Sequence, residues 1–215
     1  MHSLAGVVPL GVFLVEHLWV NAHAVYGRES FNRAVGALQS LPMRVWLEVL
    51  CIALPLAFHA ISGFVLAPRV SVNVVAHPGV GHWMSLLQRV SGVAALSFMA
   101  LHFWQYRAQT FMGRLVWRDF YYRLGVDLNR PGIFALYVTG VTASVFHLAH
   151  GLWQAGDTWG ITVNDLGKRR AAWLWGAVGA CLWVLGVNVL MHFALRCGGL
   201  LPMPHAADVA SACGR

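Results

Sequence analysis

The sequence predicts an all-α bundle of five membrane-spanning helices, and three observations lead there. The chain is 58% hydrophobic and only 11% charged, with a mean hydropathy of +0.61. A water-soluble domain needs about 25% charged residues to cover its surface, so an outer face turned to lipid explains the shortage. The apolar residues are gathered into five stretches that approach or reach the roughly 20 residues a bilayer crossing requires. Trp19, Trp83, Trp104, Tyr106, Trp117, Tyr121, Tyr122, Trp153, Trp159 and Trp173 cluster near the ends of those stretches, as side chains with an apolar body and a polar tip do at a membrane surface.

The five spans are placed at about residues 3–22, 43–66, 84–105, 131–153 and 171–195. Each must be helical, because lipid leaves an open strand's backbone groups without partners. Leu41-Pro42 precedes the second span and Ala67-Pro68-Arg69 ends it. Arg130-Pro131-Gly132 opens the fourth, and Lys168-Arg169-Arg170 precedes the fifth. Residues 1–196 therefore read as one transmembrane domain, and residues 197–215, with Pro202 and Pro204, as an extramembrane tail. The first span lacks a basic leader and a small-residue cleavage site, so it is expected to be a retained helix.

Cys51, Cys181, Cys197 and Cys213 show no C-x-x-C spacing, which argues against a zinc site or a disulfide framework. The net charge is +7. Its arginines fall between the apolar stretches instead of lining one face, so lipid headgroups and soluble protein partners are expected, not nucleic acid. Lys168, Arg169 and Arg170 are assigned to anionic lipid or such a partner. Arg28, Arg33, Arg44 and the arginines of the connection 106–131 lie opposite the N-terminus. Arg69, Arg89, Lys168, Arg169 and Arg170 lie on its side. A plain count of positive charge would put the N-terminus outside.

Eleven histidines is a high number for 215 residues, and the first four spans each carry one or more. An ionisable side chain at membrane depth is costly and is read as functional by default. Successive spans run antiparallel, and each helical residue climbs about 1.5 Å. On that scale His17 and His102 share one depth, toward the far side, and His59 and His147 share another, toward the near side. Two pairs at two depths suit two stacked b-type haems, each clamped between two helices by axial imidazoles. Small residues line the same helix faces: Gly6 with His17, Pro55 and Gly63 with His59, Gly92 with His102, and Gly140, Ser144 and Gly151 with His147. His150 is the competitor for His147. His192 is expected at the interface, and His23, His77, His82 and His205 in solvent. Glu16 and Glu48 are assigned to the interface. Arg89, with Ser91 beside it, is a candidate for haem propionates, since guanidinium–carboxylate forks are strong where partly buried.

Several of these stretches resemble the cytochrome b558 subunit of succinate dehydrogenase and fumarate reductase, the five-helix, di-haem membrane anchor. The resemblance is carried by His2-Ser3-Leu4-Ala5-Gly6-Val7-Val8-Pro9 through Glu16-His17, by Ser40-Leu41-Pro42-Met43-Arg44, and by Leu54-Pro55-Leu56-Ala57-Phe58-His59. Leu86-Leu87-Gln88-Arg89-Val90-Ser91-Gly92 continues it. So do Phe146-His147 with Gly151-Leu152-Trp153, and Thr158-Trp159-Gly160-Ile161-Thr162-Val163. It implies a bacterial cytoplasmic-membrane protein with its N-terminus in the cytoplasm, docked to a flavoprotein and an iron–sulfur subunit. It also implies electron transfer from succinate through two haems to quinone, usually menaquinone. The family's axial ligands fall on His59 and His147 for the proximal haem, and on His17 and His102 for the distal one. The family's basic segment ahead of His2-Ser3 is missing here, which removes charge from the near side and bears on the orientation count. No quinone site is assigned. The alternatives are the di-haem anchor of another respiratory oxidoreductase and a haem-free membrane scaffold whose histidines only form hydrogen bonds.

Overall fold

The structure, a computed structural model, describes residues 1–67 and 79–195. Pro68, Arg69, His77, Cys197, Cys213, His205 and the tail 197–215 lie outside the described residues. Five helices are long and apolar enough to cross a membrane: α1 His2–Tyr26, α3 Arg44–Leu66, α4 Gly81–Phe111, α6 Pro131–Thr158 and α7 Asp165–Ala194. The protein is a multi-pass membrane protein. Most of these helices outrun the expected limits, because hydropathy finds only the part that must match hydrocarbon. The polar turns beyond it can stay helical in the headgroup layer.

The outward surface fits lipid. Along α3, Leu50, Leu54, Phe58, Ile61 and Phe64 all stand exposed. Trp19, Trp46, Trp104 and Trp173 are exposed as well. Prolines leave their mark inside two of the helices. α1 widens into π turns over Gly6–Gly11, with Pro9 among them, and α3 does so over Val49–Ala53, just ahead of Pro55. Proline has no N–H to donate, and its ring crowds the carbonyl four residues back. A wider turn relieves both problems without ending the helix.

Two shorter helices were not foreseen: α2 Arg28–Gln39 and α5 Phe120–Leu128. α2 starts after Gly27, whose φ of 95° sets the bend that follows α1. It buries Phe31 and Val35, one turn apart. α5 buries Tyr121, Leu124 and Leu128. Phe31 and Tyr121 meet at 5.8 Å between ring centres. Gly36 lies against Trp117, where a Cβ would come within 3.1 Å of the ring. Tyr106 and Tyr121, read from sequence as interfacial belt residues, are instead buried in this core together with Leu190 and Phe193.

The chain divides into two compact units. One comprises Met1–Leu14, Val45–Leu96 and Thr142–Cys181. The other comprises Val15–Arg44, Ser97–Val141 and the segment from Leu182 onward. In the first unit the α6–α7 connection is closely fastened. Gly160 turns with φ 73°, and Ile161 N–H donates to the Gly156 carbonyl at 2.8 Å. Asn164 Oδ1 caps α7 by accepting from Gly167 N–H at 2.7 Å. Lys168, expected to meet lipid or a partner, forms a 2.7 Å ion pair with Asp157, and its carbonyl accepts from the Trp153 indole.

Candidate functional site

In the first unit, α3 brings His59 and α6 brings His147 to the same place. Their ring centres lie 6.0 Å apart with planes at 84°. Each ring is fixed through Nδ1. His59 Nδ1–H donates to the His2 carbonyl at 3.1 Å. His147 Nδ1–H donates to the Gln88 carbonyl at 3.0 Å, with Ser91 Oγ 3.4 Å from the same nitrogen. Gln88 is a clamp: its Nε2 donates to the His147 carbonyl at 3.1 Å, and its Oε1 accepts from His150 Nδ1–H at 3.0 Å.

His2 adds a shelf. Its ring stacks on His59 with centres 4.1 Å apart and planes within 8°. Its Nδ1 is held 2.8 Å from Ser62 Oγ, which donates onward to the Phe58 carbonyl. Glycines make the room these rings occupy. A Cβ on Gly6 would sit 2.5 Å from His59 Cε1, and one on Gly92 would sit 2.8 Å from His147 Cε1.

In the second unit, α1 supplies His17 and α4 supplies His102, with ring centres 5.6 Å apart and planes at 80°. His102 Nδ1–H donates to the Tyr137 hydroxyl at 3.1 Å. Phe98 stacks on His102 at 5.8 Å and fills the space left by Gly140. Asn21 Nδ2–H donates to the His17 carbonyl at 2.8 Å and lies 3.4 Å from the ring's Nε2. Both pairs chosen from sequence are therefore brought together.

The donor set is informative. A neutral imidazole whose Nδ1–H is engaged by an oxygen offers the lone pair of Nε2 to a metal. With metal–nitrogen bonds of about 2.0 Å, two imidazoles on opposite sides of one metal have ring centres roughly 6 Å apart. Among the described residues no group of three or more His, Cys, Asp or Glu converges. A closed all-protein metal site is therefore a poor fit. Two nitrogens from the protein and four from a flat macrocycle are a good one.

The contacts of the other candidates place them as follows. His192, expected at the interface, is fully buried, its Nε2 3.1 Å from the Tyr121 hydroxyl, while its Nδ1 has no partner. α5 folds its Tyr121 over the ring, so the position near the end of a span does not expose it. His150 has a buried Nε2 without a hydrogen-bond partner. It is buried, engaged by Gln88, and stacked on Phe146 at 5.7 Å. Glu16, half-buried, carries an Oε1 without a hydrogen-bond partner. Ser91 turns to the Gln88 carbonyl at 3.1 Å and toward His147, and Arg89 is half-buried beside it on α4. Sequence reasoning missed the supporting roles of His2, Gln88 and Tyr137. Gln88 and His2 stood inside the quoted motifs, but nothing in an apolar stretch marks Tyr137.

No family model matches the chain, and no solved structure does. It is similar to the succinate dehydrogenase cytochrome b558 subunit of Bacillus subtilis (strain 168). The two are 36% identical over 193 residues, which span 90% of this chain and 94% of that protein.

Proposed function

Since the chain belongs to the family of succinate dehydrogenase cytochrome b558 subunits, we propose that it carries two haems b and passes electrons from an iron–sulfur subunit to a quinone, with menaquinone the expected acceptor. The observation that carries this reading is the pairing: His59 with His147 at 6.0 Å and His17 with His102 at 5.6 Å, each pair inside its own compact unit. His59 and His147 would hold the proximal haem, and His17 and His102 the distal one.

Held by these imidazoles, each haem would supply reversible one-electron carriage. The remaining work falls to the chain. The carbonyls of His2 and Gln88 and the hydroxyl of Tyr137 set the tautomer and orientation of three of the four rings. Gly6 and Gly92 let neighbouring helices approach those rings, and the lipid-facing shell keeps water away. Arg89 is the proposed partner of a haem propionate. Ser91, assigned with it from sequence, is proposed for the same role, with its Oγ 3.4 Å from His147 Nδ1.

In this reading a flavoprotein subunit oxidises succinate, an iron–sulfur subunit docks on the chain, and the complex sits in the bacterial cytoplasmic membrane with the N-terminus of this chain in the cytoplasm. A docked soluble subunit overrides the loop-charge bias that points the other way. The test is haem stoichiometry in the complex purified with its soluble subunits. The pyridine haemochrome assay should give two haems b per chain, and reduced-minus-oxidised spectra should show reduction by succinate. A preparation with full succinate oxidation but no haem on this chain would overturn the reading.

A further inference from the structure

Past the end of α1, two elements of the second unit flank an open pocket of about 650 Å³. Arg28, Glu29, Asn32, Arg33 and Gly36 line it from α2, and Trp117 lines it from the turn Trp117–Asp119. The two walls are fastened to each other. The Trp117 ring rests against Gly36, and Asn32 Nδ2–H donates to the Arg118 carbonyl at 3.4 Å. The charges around the pocket are unevenly matched. Glu29 and Arg33 neutralise each other in an exposed ion pair. Arg28 lies over the Tyr122 ring at 5.0 Å, and Arg118 lies over the Trp117 ring at 4.7 Å. Among the described residues no carboxylate pairs with either of these two arginines.

We propose that this pocket binds the phosphate of an anionic glycerophospholipid, with Arg28 as its contact and Arg118 adding charge from the Trp117 side. An aromatic ring under the flat face of a guanidinium holds it in place and leaves the N–H donors at its edge free. Those donors match phosphate oxygens two at a time, in charge-assisted hydrogen bonds. The position favours a lipid over a dissolved anion. Arg28 follows two residues after Tyr26, where the membrane-crossing α1 ends, and both Tyr26 and Trp19 of α1 stand exposed. Rings of this kind mark the headgroup level, where anionic lipids attract basic side chains. The apolar surface of α1 can take the acyl chains, which a free phosphate lacks. The proposal also meets a feature of the sequence that electron transfer leaves over. Arginine is in surplus on the side opposite the N-terminus, and a bound anion gives part of that charge a partner.

The signs follow. Arg28, Glu29 and Arg118 are all exposed, so substitutions at them should fold. Arg28→Gln should weaken binding of the anionic lipid about tenfold or more, as the loss of a hydrogen bond to a charged group does. Arg118→Gln should weaken it by less. Glu29→Gln removes the carboxylate from the pocket and frees Arg33, so it should strengthen binding. Arg130→Gln removes the same charge from the same side of the membrane but outside the pocket lining, and should change nothing. A merely solvated basic surface would not produce effects of opposite sign.

The experiment places the whole purified complex in phosphatidylcholine nanodiscs and titrates in spin-labelled phosphatidylglycerol. Electron paramagnetic resonance reads the immobilised fraction of the label, with spin-labelled phosphatidylcholine as the reference. The wild-type complex should immobilise phosphatidylglycerol in preference, and Arg28→Gln should lose that preference. Equal preference in wild type and Arg28→Gln overturns the proposal, and so does an equal loss in Arg28→Gln and Arg130→Gln, which would mark diffuse attraction. If Arg28→Gln fails to assemble, Glu29→Gln decides, and an unchanged preference there overturns it. Inorganic phosphate is added as a second arm. Full displacement of the lipid by millimolar phosphate would make this a site for the free anion and overturn the lipid assignment. No readout here depends on haem, so failure of this proposal and failure of the electron-transfer reading are separate results.

Discussion

Gly92 and His147 share one space: the ring of His147 on α6 occupies the volume in which a side chain on position 92 of α4 would lie, with 2.8 Å to an added Cβ. That distance is shorter than carbon atoms tolerate, and His147 is tied to Gln88 at 3.0 Å, so it cannot swing aside without losing a hydrogen bond. Gly92→Val should therefore displace the imidazole. Overpacking of this kind costs about 1–3 kcal/mol. The purified Gly92→Val complex should contain one haem b per chain by pyridine haemochrome, and Gly6→Val should do the same through His59. Full haem content with wild-type spectra in both variants would show that the rings do not hold iron from these positions.

The two histidines three residues apart on α6 provide a discriminating pair. His147 faces His59, whereas His150 is turned to Gln88 and Phe146. His147→Ala and His59→Ala should each remove the same haem and stop electron transfer from succinate to quinone, while succinate oxidation with a soluble acceptor continues. His150→Ala should leave two haems. Optical spectra of the three complexes separate these outcomes, and loss of a haem in the His150 variant would shift the ligand to that residue.

Gln88 fastens α4 to α6 through three groups at once: its carbonyl, its Oε1 and its Nε2. Gln88→Leu keeps the volume and the backbone carbonyl but strips partners from the His147 carbonyl and from His150 Nδ1. A buried polar group left without a partner costs about 1–3 kcal/mol. Such a loss should appear as a lower temperature for thermal loss of the Soret band in detergent, with the haem content at low temperature intact. An unchanged transition would mean that both groups find new partners.

The spans and the histidine pairs were legible because membrane insertion writes them in the coarsest alphabet available: long apolar stretches, with rare ionisable residues standing out inside them. Depth along the helix then paired His17 with His102 and His59 with His147 without any knowledge of packing. What depth could not give is which helix face meets which. The sequence placed Gly6 beside His17 and Gly92 beside His102 on their own helices, whereas those glycines make room for His59 and His147 of other helices. Periodicity describes one helix at a time, and a cross-helix seat leaves no trace in it. The helices α2 and α5 were missed for a related reason. Each is anchored by a few apolar residues, such as Phe31, Val35 and Leu128, inside connections rich in charge. The burial of His192 was not legible, because its nearness to the end of a span says nothing about the connecting helix that covers it.

That covering contact gives the last prediction. Tyr121 is 5% exposed, its hydroxyl lies 3.1 Å from His192 Nε2, and burial pushes its hydroxyl up to about 12. An unfolded tyrosine ionises near 10. The folded chain thus holds its proton where the unfolded chain has lost it. The resulting stabilisation is whole below about pH 10 and falls away as pH rises from there toward about 12. Tyr121→Phe cannot ionise, so it should show a shallower loss of thermal stability across that interval. At neutral pH the same variant should be less stable than wild type, because His192, whose Nδ1 already has no partner, then loses its Nε2 partner as well, at a cost of about 1–3 kcal/mol. Replacing both partners, Tyr121→Phe with His192→Leu, should recover much of that neutral-pH loss, since matched apolar groups leave nothing unsatisfied. Thermal unfolding of the three complexes between pH 7 and about pH 11 measures this. Parallel pH profiles for wild type and Tyr121→Phe would show that the Tyr121 hydroxyl is not held protonated by the fold.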